Sequence, residues 1–149
     1  MGWKQFKTSQ IKNYLSAGIV ELIIFFKNPP MLKQLNLVRD FHEKFQVPIL
    51  DKPSLIPKDR SDLRYRLIEE EVREYQAGVQ KNDLENIAKE LCDVLYSTYG
   101  TILEHGLQDI IEDVFKEVHK SHMSKDYHQY KMTKGAGYIK PNVGKFLKS

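Results

Sequence analysis

Cys92 is the one cysteine among 149 residues, so no disulfide can form within the chain. A free thiol fits a reducing compartment, and a cytoplasmic protein is expected. Charge of one sign is also scarce. Lys and Arg number 23 against 20 Asp and Glu, a net charge of +3. A dedicated nucleic-acid binder shows a larger, clustered excess, so no nucleic-acid partner is expected. Long apolar runs are missing too. The longest, Gly18 to Phe26, is broken by Glu21, whereas a spanning helix needs about 20 apolar residues. It also lacks a signal-type cleavage site. Neither export nor a membrane anchor is expected. Repeats, low-complexity tracts and clear strand signals are absent as well.

What remains is helical periodicity cut by breakers. Asn28-Pro29-Pro30 separates residues 1–30, which read as an N-terminal extension of unknown role. Met31 would be a natural first residue for the rest, a single domain over 31–149 with a polar tail from about 124. Leu35, Val38, Phe41 and Phe45 recur at helical spacing, which predicts a first helix from Leu32 to about Gln46. Pro48, Pro53 and Pro57 mark a loop. A second helix is expected from Asp59 to Ala77, stopped by Gly78. Asn82-Asp83-Leu84-Glu85 offers a capping box for a third, ending at Gly106. A fourth should run from Gln108 to His122, with an aperiodic loop from Lys125. The expected fold is all-α, a bundle of four to five helices.

Glu69 to Glu74 is a charge run, and such runs are usually solvated faces. At about 100° per residue, Glu69 falls with Arg66, Arg73 and Gln76. It makes a plain i,i+4 pair with Arg73. Glu70, Glu71 and Glu74 instead continue the stripe of Leu63 and Leu67 and are expected to face inward. In the third helix, Asp93 is the only charge from Leu91 to Leu103. A helix apolar nearly all round reads as buried, and a lone buried carboxylate needs a partner. Cys92, Tyr96 and Tyr99 are expected in the core.

Two carboxylate pairs therefore stand at i,i+3 spacing, Glu71 with Glu74 and Glu90 with Asp93. On neighbouring antiparallel helices they would repel unless a cation sat between them. Oxygen ligands suit magnesium or manganese rather than zinc. Spacing alone leaves open a metal site and a chance polar seam.

These residues resemble the all-α NTP pyrophosphohydrolases, the superfamily of MazG, dimeric dUTPases and phosphoribosyl-ATP pyrophosphohydrolase. The family motif EExxE followed by ExxD is similar to Glu70-Glu71-Val72-Arg73-Glu74 and Glu90-Leu91-Cys92-Asp93. Downstream, Glu117 to Lys125 (EVHKSHMSK) is similar to the VHxxNxSK motif of the MazG-like subgroup with dUTPase activity. KGAGYIKPN resembles that subgroup's ending. The resemblance implies that Glu71, Glu74, Glu90 and Asp93 bind Mg2+, with Mn2+ a substitute, and that Glu70 activates water. It implies hydrolysis of a (deoxy)nucleoside triphosphate such as dUTP to the monophosphate and pyrophosphate. It also implies a homodimer or dimer of dimers.

His122 stands where the motif carries asparagine, which bears on the substrate. His122 and Lys125 continue the apolar stripe of Ile111, Val114, Phe115 and Val118, so both are expected inward as substrate contacts. Lys134 and Lys140 either close over the triphosphate or belong to a solvated tail. Phe41, His42 and Phe45 are candidates for a base pocket. His119 and His128 read as structural or exposed. Two alternatives stand beside this reading: phosphoribosyl-ATP pyrophosphohydrolase, and a non-catalytic divalent-ion-binding helical module.

Overall fold

A computed structural model describes residues 30–147. The expected extension over residues 1–30 lies, but for Pro30, outside the described residues. Among these, four α-helices dominate: α1 (Pro30–Lys44), α2 (Lys58–Gln80), α3 (Leu84–Glu104) and α4 (Ile111–Met123). A short antiparallel hairpin follows, β1 (Asp126–His128) with β2 (Lys131–Thr133), then a 3-10 turn at Val143–Phe146. The fold class is all-α, as expected. No described helix is long and apolar enough to cross a membrane.

Helix α2 does not stop at Gly78 but runs on to Gln80. Gly78 is buried, and a Cβ there would meet the Asn86 amide at 2.9 Å and Ile87 at 3.3 Å. Its missing side chain therefore serves close helix packing, not termination. Asn82 makes the turn instead, with φ of 55°, a backbone state that asparagine tolerates better than most residues. The next residue, Asp83, is the N-cap of α3, its carboxylate accepting from the Asn86 amide at 3.0 Å. Gly106 closes α3 with φ of 65°, pressed against the Lys52 carbonyl.

The proline-marked loop straps the end of α3. The Leu50 amide donates to the Leu103 carbonyl and the Ser54 amide to that of His105. The Gln108 side chain donates to the Leu50 carbonyl at 2.8 Å. That buried side chain belongs to the connection and not to α4, which starts three residues later than expected.

Only Leu35, Val38 and Leu103 are buried apolar side chains among the described residues. The helical stripe of α1 runs through Leu35, Val38 and His42, leaving Phe41 and Phe45 partly exposed. Helix α3, expected to be buried all round, packs on α2 and meets α1 through Phe41 and His42, but one side stays open. Leu91, Cys92, Leu95 and Tyr96 are exposed, and Leu95 keeps 53% of its surface. Periodicity found the apolar surface correctly; the described residues do not cover it.

The tail is tied to α4, and the expected loop holds a hairpin and a 3-10 turn. Glu117 accepts from the Asn142 amide at 2.9 Å and from the Lys145 ammonium at 2.7 Å. The Ile139 amide donates to the Ser124 hydroxyl at 2.8 Å. Strands of three residues are too short to show an alternating pattern in sequence.

Candidate active site

The two carboxylate pairs lie on α2 and α3, joined by the Lys81-Asn82-Asp83 turn. Glu71, Glu90 and Asp93 converge: one oxygen from each lies within 4.8 Å of the others. Glu90 is buried, while Glu71 and Asp93 are half-buried. Three carboxylate oxygens drawn this close form a hard-ligand set of the kind magnesium and manganese take. Small side-chain movements would close it to coordination distance. The residues present therefore fit a divalent cation.

Electrostatics within the cluster agree with its geometry. Burial, then the Asp93, Glu74 and Glu90 carboxylates, holds the Glu71 carboxyl above its ordinary pKa. Glu74 is also raised, chiefly by hydrogen bonding with Glu90 and then by its charge. In both cases neighbouring carboxylates add to the upward shift and Lys89 opposes it. Lys89 supplies part of the compensation. Its ammonium donates to both Glu90 oxygens, at 3.0 and 3.1 Å, and to Asp93 at 2.9 Å.

The expectation that Glu70, Glu71 and Glu74 all face inward holds only for Glu71. Glu70 and Glu74 are exposed, because α3 covers a single strip of α2 at this level. Glu69 pairs with Arg73 at 3.0 Å, the surface bridge that the spacing suggests. Along the same helix, one turn before Glu71, Leu67 lines a pocket of about 380 Å3 with Leu63, Arg60, Arg64, Phe41, His42 and Phe45. The three α1 residues singled out for a base pocket thus share one cavity.

The structure does not bring the downstream residues into the cluster. His122 is exposed and Lys125 half-buried; Ser121 is the buried side chain at the end of α4. Of that stripe Ile111, Val114 and Val118 are half-buried, but Phe115 keeps 59% of its surface, and His122, two turns further on, is exposed with it. The inward reading of His122 followed that stripe and is corrected with it. Lys134 and Lys140 are exposed. The Lys134 ammonium sits over the Tyr138 ring, 5.1 Å from its centroid.

One feature escaped the motif reading. Beside the pocket, Glu104 is 1% exposed and Arg64 7%. Arg60 holds Glu104 through two hydrogen bonds, and Arg64 approaches it at 3.5 Å. Arg64 also donates to the Thr101 hydroxyl and the Ser97 carbonyl. His42, 2% exposed, places Nδ1 3.1 Å from the Pro48 carbonyl. Gly100 makes room for this group. A Cβ there would overlap the Arg64 guanidinium and come within 2.9 Å of His42 Nε2. Burial lowers the pKa of both His42 and Arg64, with Glu104 opposing.

Residues 38–122 match the family model described as phosphoribosyl-ATP pyrophosphohydrolase. Comparison with curated proteins gives no match. The matched stretch is more than half of the chain, and it contains both carboxylate pairs and the whole of α2 and α3. By that match the chain belongs to the phosphoribosyl-ATP pyrophosphohydrolase family, within the all-α NTP pyrophosphohydrolases, and is a nucleotide pyrophosphohydrolase acting on a phosphorus anhydride.

Proposed function

We propose that the chain hydrolyses (deoxy)nucleoside triphosphates, dUTP or a non-canonical nucleotide among them, to the monophosphate and pyrophosphate, with magnesium. The convergence of Glu71, Glu90 and Asp93 carries this reading. These three, with Glu74 alongside, would hold Mg2+ or Mn2+. A divalent ion bound there supplies charge neutralisation and Lewis-acid polarisation of the phosphate chain. Glu70, exposed beside the cluster, is free to meet a water molecule. It would take a proton from that water as the oxygen attacks the α-phosphorus. The bond to the bridging oxygen breaks, and that oxygen leaves with pyrophosphate. The pocket of Phe41, Phe45 and Leu67 lies next along α2 and offers apolar and aromatic surface to a base. His122, Lys125, Lys134 and Lys140 would reach the phosphates by movement of the tail or from a second copy of the chain.

A second reading rests on the family description itself. Phosphoribosyl-ATP carries the same anhydride, and hydrolysis would again release pyrophosphate. The deciding experiment is pyrophosphate release from a panel of nucleoside triphosphates and phosphoribosyl-ATP, with and without magnesium. Magnesium-dependent release from a triphosphate supports the first reading. Release from phosphoribosyl-ATP alone supports the second. Magnesium binding without turnover of either would point to a non-catalytic ion-binding module.

We also propose self-association as a dimer or dimer of dimers. Leu91, Leu95 and Tyr96 on α3, with Leu37 on α1, expose an apolar face that water solvates poorly. A second copy would cover it.

A further inference from the structure

Lys89 stands one position before Glu90 and one helical turn before Asp93, so its stem runs along the face of α3 that carries both. Its ammonium contacts Glu90 Oε1 and Oε2 and Asp93 Oδ2, all at 2.9–3.1 Å. Those are the two carboxylates that converge with Glu71. Lys89 thus binds the same groups that a divalent ion would need.

This is more than an ordinary i,i+4 surface pair. Glu90 is 3% exposed at its side chain while Lys89 is 61% exposed. A buried carboxylate is costly without a counter-charge, and Lys89 is the cation that the described residues place on it. The lysine itself is open to water on a flexible four-carbon stem, so it can leave without unpacking the core. An ammonium and a divalent cation repel each other, and both cannot remain on Glu90 and Asp93 at contact distance.

We propose that Lys89 is a tethered counter-ion of the metal site: it neutralises Glu90 and Asp93 when no divalent ion is bound, and metal entry displaces it. The inference rests on the metal-binding reading of this cluster. Two opposed effects follow. The lysine weakens metal binding, because the ion must expel it. It also steadies the metal-free chain, because it relieves repulsion among Glu71, Glu74, Glu90 and Asp93.

The experiment uses the full chain and three variants, Lys89→Met, Lys89→Arg and Glu71→Gln. Magnesium binding is measured by calorimetry, and melting temperature in chelator and in saturating magnesium. Lys89→Met keeps most of the stem and removes the charge. It should bind magnesium about tenfold tighter, melt lower in chelator, and gain more from magnesium than the parent. Lys89→Arg keeps a cation and should stay near the parent in both measurements. Glu71→Gln should lose most magnesium affinity. Parent affinity in Lys89→Met, or unchanged melting in chelator, overturns the proposal while leaving the metal site standing. So does a Lys89→Arg variant that tightens as much as Lys89→Met. A parent chain that binds no magnesium overturns the metal reading and this inference together.

Discussion

Arg60 and Glu104 lie 44 positions apart, yet the guanidinium donates to both carboxylate oxygens, at 3.0 and 2.6 Å. The pair ties the first turn of α2 to the last turn of α3. Arg64 stands against the same carboxylate, so removing its charge leaves two guanidinium groups facing each other at a buried site. Glu104→Gln should lower unfolding stability by about 3 kcal/mol, the low end for a broken buried pair because Arg60 stays partly open to water. Denaturant unfolding of the two proteins measures it.

Gly100→Ala tests the space beneath that network. Alanine at an open helical site stabilises by roughly 1 kcal/mol over glycine. Here its methyl group would overlap the Arg64 guanidinium and crowd His42, and both would have to shift. The sign should reverse, to a loss of about 1–3 kcal/mol. A melting temperature above the parent's would show that the pocket relaxes freely.

The carboxylate cluster predicts a clean separation of fold from turnover. Asp93→Asn or Glu71→Gln should reduce pyrophosphate release at least about 100-fold by losing a metal ligand. Helical circular dichroism should be unchanged, since both side chains are half-buried at the rim of the helix pair. Rates within a few-fold of the parent would remove the metal assignment.

His42 predicts the acid side of the stability profile. Burial lowers its pKa below the ordinary 6.5. The unfolded chain therefore takes up this proton at higher pH than the folded chain does. The contribution is fully present above pH 6.5 and is lost as pH falls from there through the folded pKa. In His42→Asn, unfolding measured from pH 8 to 5 should show a shallower loss. An identical slope would assign the acid sensitivity elsewhere.

Self-association predicts a light-scattering mass above the 17.5 kDa of one chain. Leu95→Lys, on the open face of α3, should shift the protein toward that single-chain mass. A parent already at 17.5 kDa would refute the dimer.

The nearness of Glu71, Glu90 and Asp93 was legible because chemistry and spacing coincide there. A lone acid in an apolar helix and two i,i+3 pairs are local signals, and Glu71, Glu90 and Asp93 do converge. Gly78 shows where such signals mislead: glycine marks both helix ends and close helix contacts, and only the partner helix decides which. The Arg60–Arg64–Glu104 network left no trace in periodicity, because its members are joined across the fold rather than along a helix. His122 was misplaced because the stripe leading to it includes Phe115, whose apolarity says nothing about whether a neighbour covers it.

The turn at Lys81-Asn82-Asp83 contributes no atom to the carboxylate cluster, yet it sets the cluster's phase. Each residue added within α2 or α3 between that turn and the carboxylates would shift one pair against the other by about 1.5 Å and about 100°. The left-handed turn at Asn82, the N-cap at Asp83 and the contact at Gly78 hold that offset fixed. The acidic site is thus specified by a count as much as by its side chains. Point substitutions along α2 and α3 can be absorbed one at a time, while a single insertion in either helix between the turn and the carboxylates would put Glu90 and Asp93 out of step with Glu71 at a stroke.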